Sequence, residues 1–177
     1  VIALRQAKPP DAASLAQFAE RTFRQAFAMH NSAENMELHC ANNFGAEIQG
    51  LELSDPRQVI QLAEESAVLA GFMQLRLGQA TASVDASRPA ELHRIYVSRE
   101  WQGRGVAQEL MRSAIAAAAA SGSDWLWLGV WERNPKAIAF YNKYGLKLVG
   151  EHPFMLGHEQ QRDLIMAART EDLSSVA

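Results

Sequence analysis

Gln102-Gly103-Arg104-Gly105-Val106-Ala107 is the stretch of this chain whose residue types and spacing point most directly to chemistry. It stands between a run that reads as a strand, Leu92 to Val97, and one that reads as a helix, Gly105 to Ala120. Small residues let a backbone approach a ligand closely. Successive N–H groups at a helix start, with the helix dipole behind them, suit an anion such as a pyrophosphate. Arg104 can add a charge-assisted contact. Three readings share these residues. The plainest is a glycine turn joining strand to helix. A dinucleotide loop would want a third glycine three residues after Gly105, where Gln108 stands. The third is a pyrophosphate loop of another fold.

Other residues bear chemistry with an equally plain alternative. Glu91 stands at the start of the strand before the loop. An amine that arrives as an ammonium must lose a proton before it attacks, and a carboxylate can take it, directly or through water. An exposed carboxylate at a strand start needs no such role. His93 shares a strand face with Glu91 at period two, as a second proton relay or as a structural residue. Tyr141 lies three residues from Ile138 and four from Ala137, the spacing of a core aromatic on a helix. Asn134 is placed to cap that helix, with Pro135 at its first position. The remaining histidines lack ligand spacing, and adjacent His39 and Cys40 would point apart on a helix, so no metal site is expected. Cys40 is the only cysteine, which excludes an internal disulfide, and it lies outside every motif named here.

The elements that must position these residues are legible in part. Val1 to Arg5 reads as a strand. Asp11 is placed to cap a helix with an apolar stripe of Leu15, Phe18, Ala19, Phe23, Ala26 and Phe27. Ser32 is placed to cap a second helix holding Met36 and Leu38, and a third is expected around Ile48 and Leu51. Gln58 to Ala63 and Ala67 to Gln74 read as a hairpin turning at Glu64-Glu65-Ser66. Arg76 to Pro89 reads mainly as loop. Trp125 to Trp131 is apolar on both faces, as a central strand would be, with Trp125, Trp127 and Trp131 on one face filling core. Leu146 to Val149 and Leu164 to Ala168 complete the strands. The alternation after residue 90 implies an α/β layer structure. One domain over residues 1–177 suits the length, and 48% hydrophobic residues suffice for a sizeable core. The net charge of −3 argues against a nucleic-acid surface. No apolar run is long enough for a membrane helix. A cytoplasmic protein is expected.

The loop fits the pattern Gln/Arg-x-x-Gly-x-Gly/Ala of the GNAT N-acetyltransferases at every specified position. Glu91-Leu92-His93-Arg94-Ile95-Tyr96-Val97 resembles the strand before that loop in the family. Trp127-Leu128-Gly129-Val130-Trp131-Glu132-Arg133-Asn134 resembles the strand after it, and Ala137-Ile138-Ala139-Phe140-Tyr141-Asn142-Lys143-Tyr144-Gly145-Leu146 the helix that follows, with Leu146 where members usually carry Phe. The resemblance implies a mixed, mostly antiparallel sheet flanked by helices and splayed between two parallel central strands. It implies acetyl-CoA as cosubstrate, with its pyrophosphate on Gln102, Gly103, Arg104, Gly105, Val106 and Ala107. It implies that the pantetheine arm pairs with the backbone of Ile95, Tyr96 and Val97, whose N–H groups can also stabilise developing oxygen charge. Asn134 and Lys143 become further cofactor contacts, Glu91 the base, and Tyr141 the acid that protonates the departing thiolate. A phenol of pKa about 10 is a sensible donor to a thiolate of about 8.5 or higher.

Phe27 to Met36, and Phe154-Met155-Leu156-Gly157 with Asp163-Leu164-Ile165-Met166, are similar to the bacterial PaiA-type spermidine/spermine N-acetyltransferases. That similarity implies a polyamine acceptor, with Glu20, Glu34, Glu37 and Glu47 offering carboxylates along its path. Other acceptors (an aminoglycoside, an amino acid, a protein N-terminus) and a non-catalytic acetyl-CoA-binding module fit the same motifs. Dimers are frequent among family members, so the resemblance allows a homodimer, while the sequence itself is silent on oligomeric state.

Overall fold

The chain, described here by a computed structural model over residues 1–173, builds one seven-stranded sheet with helices on both faces. The last four residues of the expected domain, 174–177, lie outside the described residues. In chain order the elements are β1 (Ala3–Gln6), α1 (Ala12–Phe27), α2 (Ala33–Asn43), α3 (Ala46–Ser54), β2 (Gln58–Glu65), β3 (Val68–Leu77), β4 (Pro89–Val97), α4 (Val106–Ala120), β5 (Trp125–Trp131), α5 (Pro135–Lys143), β6 (Lys147–Leu156), β7 (Glu159–Arg169) and the short α6 (Thr170–Leu173). The sheet order is β1-β2-β3-β4-β5-β7-β6. Every pairing is antiparallel except β4 with β5.

One core lies under α4, where Leu110, Met111 and Ala114 close over Met73, Leu126 and Leu128. The other lies under α1 and α2, where Phe18, Phe23 and Met36 meet Leu62 and Phe72. The α1 stripe is buried from Leu15 to Phe23 and then runs out, with Phe27 half-buried and Ala26 exposed. Ser32 caps α2 as expected, its Oγ accepting from the Asn35 N–H at 3.2 Å. Helix α3 lies where a third helix was expected, yet Leu51 is 71% exposed. Its buried residue is Gln49, which accepts from the Gly45 N–H and donates to the Asn43 carbonyl, so an amide rather than an apolar side chain ties α3 to α2.

Several expectations need correction. Asp11 is not a side-chain cap of α1. Arg5 holds its carboxylate with two hydrogen bonds of 2.9 Å while also binding Glu64, and that guanidinium lowers the Asp11 pKa to about 2. The β2–β3 turn falls at Ser66 and Ala67 rather than at Glu64-Glu65-Ser66. Both take left-handed backbone (φ 51° and 64°), the geometry a two-residue hairpin requires. Strand β4 starts at Pro89, three residues early. Strands β6 and β7 extend far beyond Leu146–Val149 and Leu164–Ala168. Their added residues are mostly polar and exposed at a sheet edge, so no hydrophobic alternation announces them. The three tryptophans of β5 do share a face, but only Trp127 is buried, its indole N–H donating to the Gln79 carbonyl at 2.8 Å.

Strand β4 carries a bulge. Gln74 of β3 pairs with Arg94 and Leu75 with Leu92, leaving His93 as the extra residue. The alternation therefore changes phase. Ala90 and Leu92 face the α4 core before the bulge, Ile95 and Val97 after it, and Tyr96 turns to the α1 side.

Gly71 fixes how closely β3 holds the end of β4. A Cβ there would lie 2.7 Å from the Tyr96 carbonyl oxygen, 3.1 Å from Leu110 Cδ1 and 3.2 Å from Val106 Cγ1. The nearest of these is backbone, which cannot swing aside. Gly71→Ala is expected to destabilise the fold by about 1–3 kcal/mol, read as a lower midpoint in urea denaturation. An unchanged midpoint would mean that β3 and β4 part without cost.

Candidate active site

The two central strands part early. Strand β4 pairs with β5 only through Pro89, Ala90 and Glu91 against Trp125, Leu126 and Trp127. Beyond Glu91, the β5-facing edge of β4 has no partner strand, while β3 stays registered with β4 through Val97 and β7 with β5 through Trp131. A wedge opens inside the sheet. Ile95, Tyr96 and Val97 lie along one wall of it.

At the wide end of the wedge, a 3-10 turn (Arg99–Trp101) leads into the glycine loop. Gly103 and Gly105 have φ of +77° and +84°, and a Cβ at either would meet nothing within 4 Å. Their role is conformational, and the space before them is open. Gly105 is the residue before α4, and no side chain caps the helix there. The N–H groups of its first turn are thus left for another partner. Gln102 donates to the Val97 carbonyl at 3.4 Å. The Arg104 guanidinium lies over the Trp101 ring at 5.0 Å. Gln102, Gly103 and Arg104 are exposed, Gly105 and Ala107 half-buried, and Val106 buried as the anchor of α4. An open loop with uncapped N–H groups and one exposed cation is chemically suited to an anion such as a pyrophosphate.

Tyr141 projects from α5 into the α4-side core and is 9% exposed. Burial pushes its phenol well above the ordinary value, and Tyr96 nearby pushes it the same way. It therefore stays protonated at neutral pH. The spacing argument for a core position holds, and the group keeps a proton it could give. Asn134 caps α5, its Oδ1 accepting from the Ala137 N–H at 3.2 Å. Lys143 is exposed on the last turn of α5.

Glu91 sits where the strands diverge. One carboxylate oxygen is 3.5 Å from His93 Nδ1 and the other 3.6 Å from Arg76 Nη1. Glu91 Oε2 and His93 Nε2 are both buried without a hydrogen-bond partner. Burial holds the His93 imidazole below its ordinary pKa, with Glu91 opposing in part. The two lie two residues apart on β4, and the bulge falls at His93 itself. Arg76, the cross-strand partner of Glu91, was missed in the sequence. Alternating polar residues at Gln74 and Arg76 in a hairpin strand were the available signal. Also missed was the buried pair of Arg94 and Glu52, at 3.0 Å, which Gln74 joins through a bond of 2.9 Å from Arg94.

The acidic residues of the first helices are differently disposed. Glu20 and Glu37 share Arg24, at 2.8 and 3.0 Å. Glu34 is exposed beside His158. The two stretches near the ends of the chain meet: Asn31 accepts from Gln161 at 2.7 Å, and Asn35 from the His158 N–H at 2.9 Å. The rings of Phe27 and His30 stand 6.0 and 5.4 Å from Trp131. Among the described residues, no three His, Cys, Asp or Glu side chains are grouped to hold a metal ion, and no helix is long and apolar enough to cross a membrane.

The sequence matches the acetyltransferase (GNAT) family over residues 14–146. An uncharacterized N-acetyltransferase of Mycobacterium tuberculosis H37Rv is 32% identical over 156 residues, covering 88% of this chain and 96% of that protein. An uncharacterized N-acetyltransferase from the pepI 3′ region of Lactobacillus delbrueckii subsp. lactis is 28% identical over 165 residues, covering 91% and 93%. The crystal structure of the PaiA N-acetyltransferase of Thermoplasma acidophilum in complex with coenzyme A superposes with a TM-score of 0.76, covering 96% of this chain and 99% of that one at 22% identity. At that identity the likeness speaks for the fold. The family match spans most of the chain and includes the wedge, the glycine loop and all of α5: this chain belongs to the GNAT family and is an acetyl-CoA-dependent N-acetyltransferase.

Proposed function

We propose that the chain acetylates a primary amine of a small polycation such as spermidine or spermine, by direct attack and without a covalent enzyme intermediate. The observation that carries the transfer is the parting of β4 and β5 at Glu91, next to an open glycine loop. Acetyl-CoA supplies the acetyl group already activated as a thioester. The loop from Gln102 to Ala107 offers its N–H groups and Arg104 to the pyrophosphate, and Lys143 a further charge. The free edge of β4 at Ile95, Tyr96 and Val97 aligns the pantetheine arm as an added strand, with Asn134 touching it from α5. Glu91, at the apex of the wedge with an unsatisfied buried oxygen, takes the ammonium proton directly or through water. Tyr141 gives its proton to the departing sulfur. The dry surroundings that hold the proton on Tyr141 also make a thiolate there more basic, so the two stay matched.

The polyamine arm is supported by the two stretches similar to the polyamine-acetylating subfamily, which meet where Asn31 and Asn35 accept from Gln161 and His158 of the β6–β7 hairpin. It receives less support from the acidic path first expected on α1 and α2, because Arg24 already engages Glu20 and Glu37. A cytoplasmic location suits a protein whose one cysteine is buried and unpaired.

Gly105→Val is expected to weaken acetyl-CoA binding by about ten- to a hundredfold, or about 1.4–2.7 kcal/mol, in calorimetric titration. Unchanged affinity in a folded variant would remove the loop from the cofactor site. Tyr141→Phe keeps the ring and deletes the proton. Its turnover should fall by about 10²–10⁴ with acetyl-CoA affinity retained, and wild-type turnover would reduce Tyr141 to packing. Release of free coenzyme A thiol with spermine, spermidine and a panel of monoamines tests the acceptor. The polyamines should have the lower KM, and that of spermine should rise most with ionic strength, since attraction between exposed charges is screened beyond about 8–10 Å. Equal use of all amines, without a salt effect, would remove the polyamine and leave the acetyltransferase.

A further inference from the structure

Strand β5 is buried or half-buried along its length except at Gly129, which is exposed although it lies mid-strand in the sheet. A side chain there would close the opening. A Cβ at Gly129 would lie 3.2 Å from Asp163 Oδ2 and 3.4 Å from His152 Nε2, so both groups lean over this one residue. Asp163 comes from β7, opposite Trp131, and His152 from β6, opposite Asp163. Asp163 is 9% exposed, and its charged neighbour is His152, whose Nε2 stands 3.8 Å from Oδ2. Burial shifts its pKa upward, with His152 countering in part. A carboxylate mostly withdrawn from water and faced only by one distant imidazole is stabilised by a further cation that reaches it.

The position matters as much as the charge. Gly129 is two residues beyond Trp127, the last β5 residue paired with β4, and Trp127 is the partner of Glu91. Two residues of strand span about 7 Å, the reach of a short alkyl chain. Trp131, on the same face, carries the rings of Phe27 and His30 against it, an aromatic wall suited to an alkylammonium.

We propose that Asp163, above the opening at Gly129, is the subsite for a second, non-reacting ammonium group of a di- or polyamine acceptor, while the reacting amine lies toward Glu91. This rests on the amine-acceptor reading above and extends it to a residue for which no role has yet been given. Equilibrium binding tests it without turnover, using putrescine as diamine and butylamine as its monoamine counterpart. The wild-type protein should bind putrescine at least about tenfold more tightly. Asp163→Asn, which removes charge and keeps shape, should bring putrescine to within about twofold of butylamine while leaving butylamine and acetyl-CoA affinities in place. Gly129→Ala keeps the charge and fills the opening, and should cost putrescine a similar factor. It serves as the second test if Asp163→Asn does not fold. A putrescine preference retained in folded Asp163→Asn or Gly129→Ala, or absent from the wild type, overturns the subsite. Thiol release from acetyl-CoA is measured alongside. A protein that binds putrescine through Asp163 but releases no thiol refutes the transfer reading alone. One that acetylates monoamines and diamines alike, with Asp163→Asn unchanged, refutes the subsite alone.

Discussion

Everything distinctive here depends on two parallel strands that pair for three residues and then separate. Such a wedge would collapse if either strand were free to move. Strand β3 holds β4 from outside, closely enough at Gly71 to leave no space for a methyl group, and β7 holds β5 through its whole length. Each strand is thus fixed by its outer neighbour, and the inner edge stays open. Backbone donors and acceptors left unpaired inside a sheet have a cost. Their persistence beside an uncapped helix start marks the wedge as a place for a ligand.

The bulge at His93 settles which chemistry each face receives. Without it, strict alternation would carry Glu91, His93, Ile95 and Val97 on one face. With it, Ile95 and Val97 turn away from that face to complete the α4 core, while Glu91 and His93 stay in contact. The polar groups on that side are not isolated. Arg76 reaches Glu91, and Arg94 is shared between Glu52 and Gln74. Charges gathered under helices would be prohibitive singly, and mutual pairing makes them tolerable.

What could be read in the sequence was what local backbone demands. Gly103 and Gly105 occupy positive φ that other residues avoid, so the loop announces itself, as do Ser32 and Asn134 at helix starts. Much of the order of strands and helices after residue 90 follows from apolar runs and helix starts, and the apolar stripe of α1 from its spacing of three and four. What escaped was non-local. Asp11 looks like a helix cap until Arg5, on another element, captures it. Arg76 and Asp163 matter through partners across strands. The polar ends of β6 and β7 exist because they pair with each other at an edge, not because either sequence favours a strand alone. Ser66 and Ala67 take a left-handed turn without the usual Asn or Gly, so the hairpin position was misjudged by a residue.

The chain divides its labour unevenly along its length. Wedge, glycine loop and α5 come from one continuous segment, residues 89–143. The opposite face is assembled from segments far apart in sequence, joined where Asn31 meets Gln161 and Asn35 meets His158. Substitutions in those outlying segments need not disturb the glycine loop at all. Divergence under selection can therefore redraw that face piece by piece, on a helix here and a hairpin there, while the inherited donor apparatus is passed on intact.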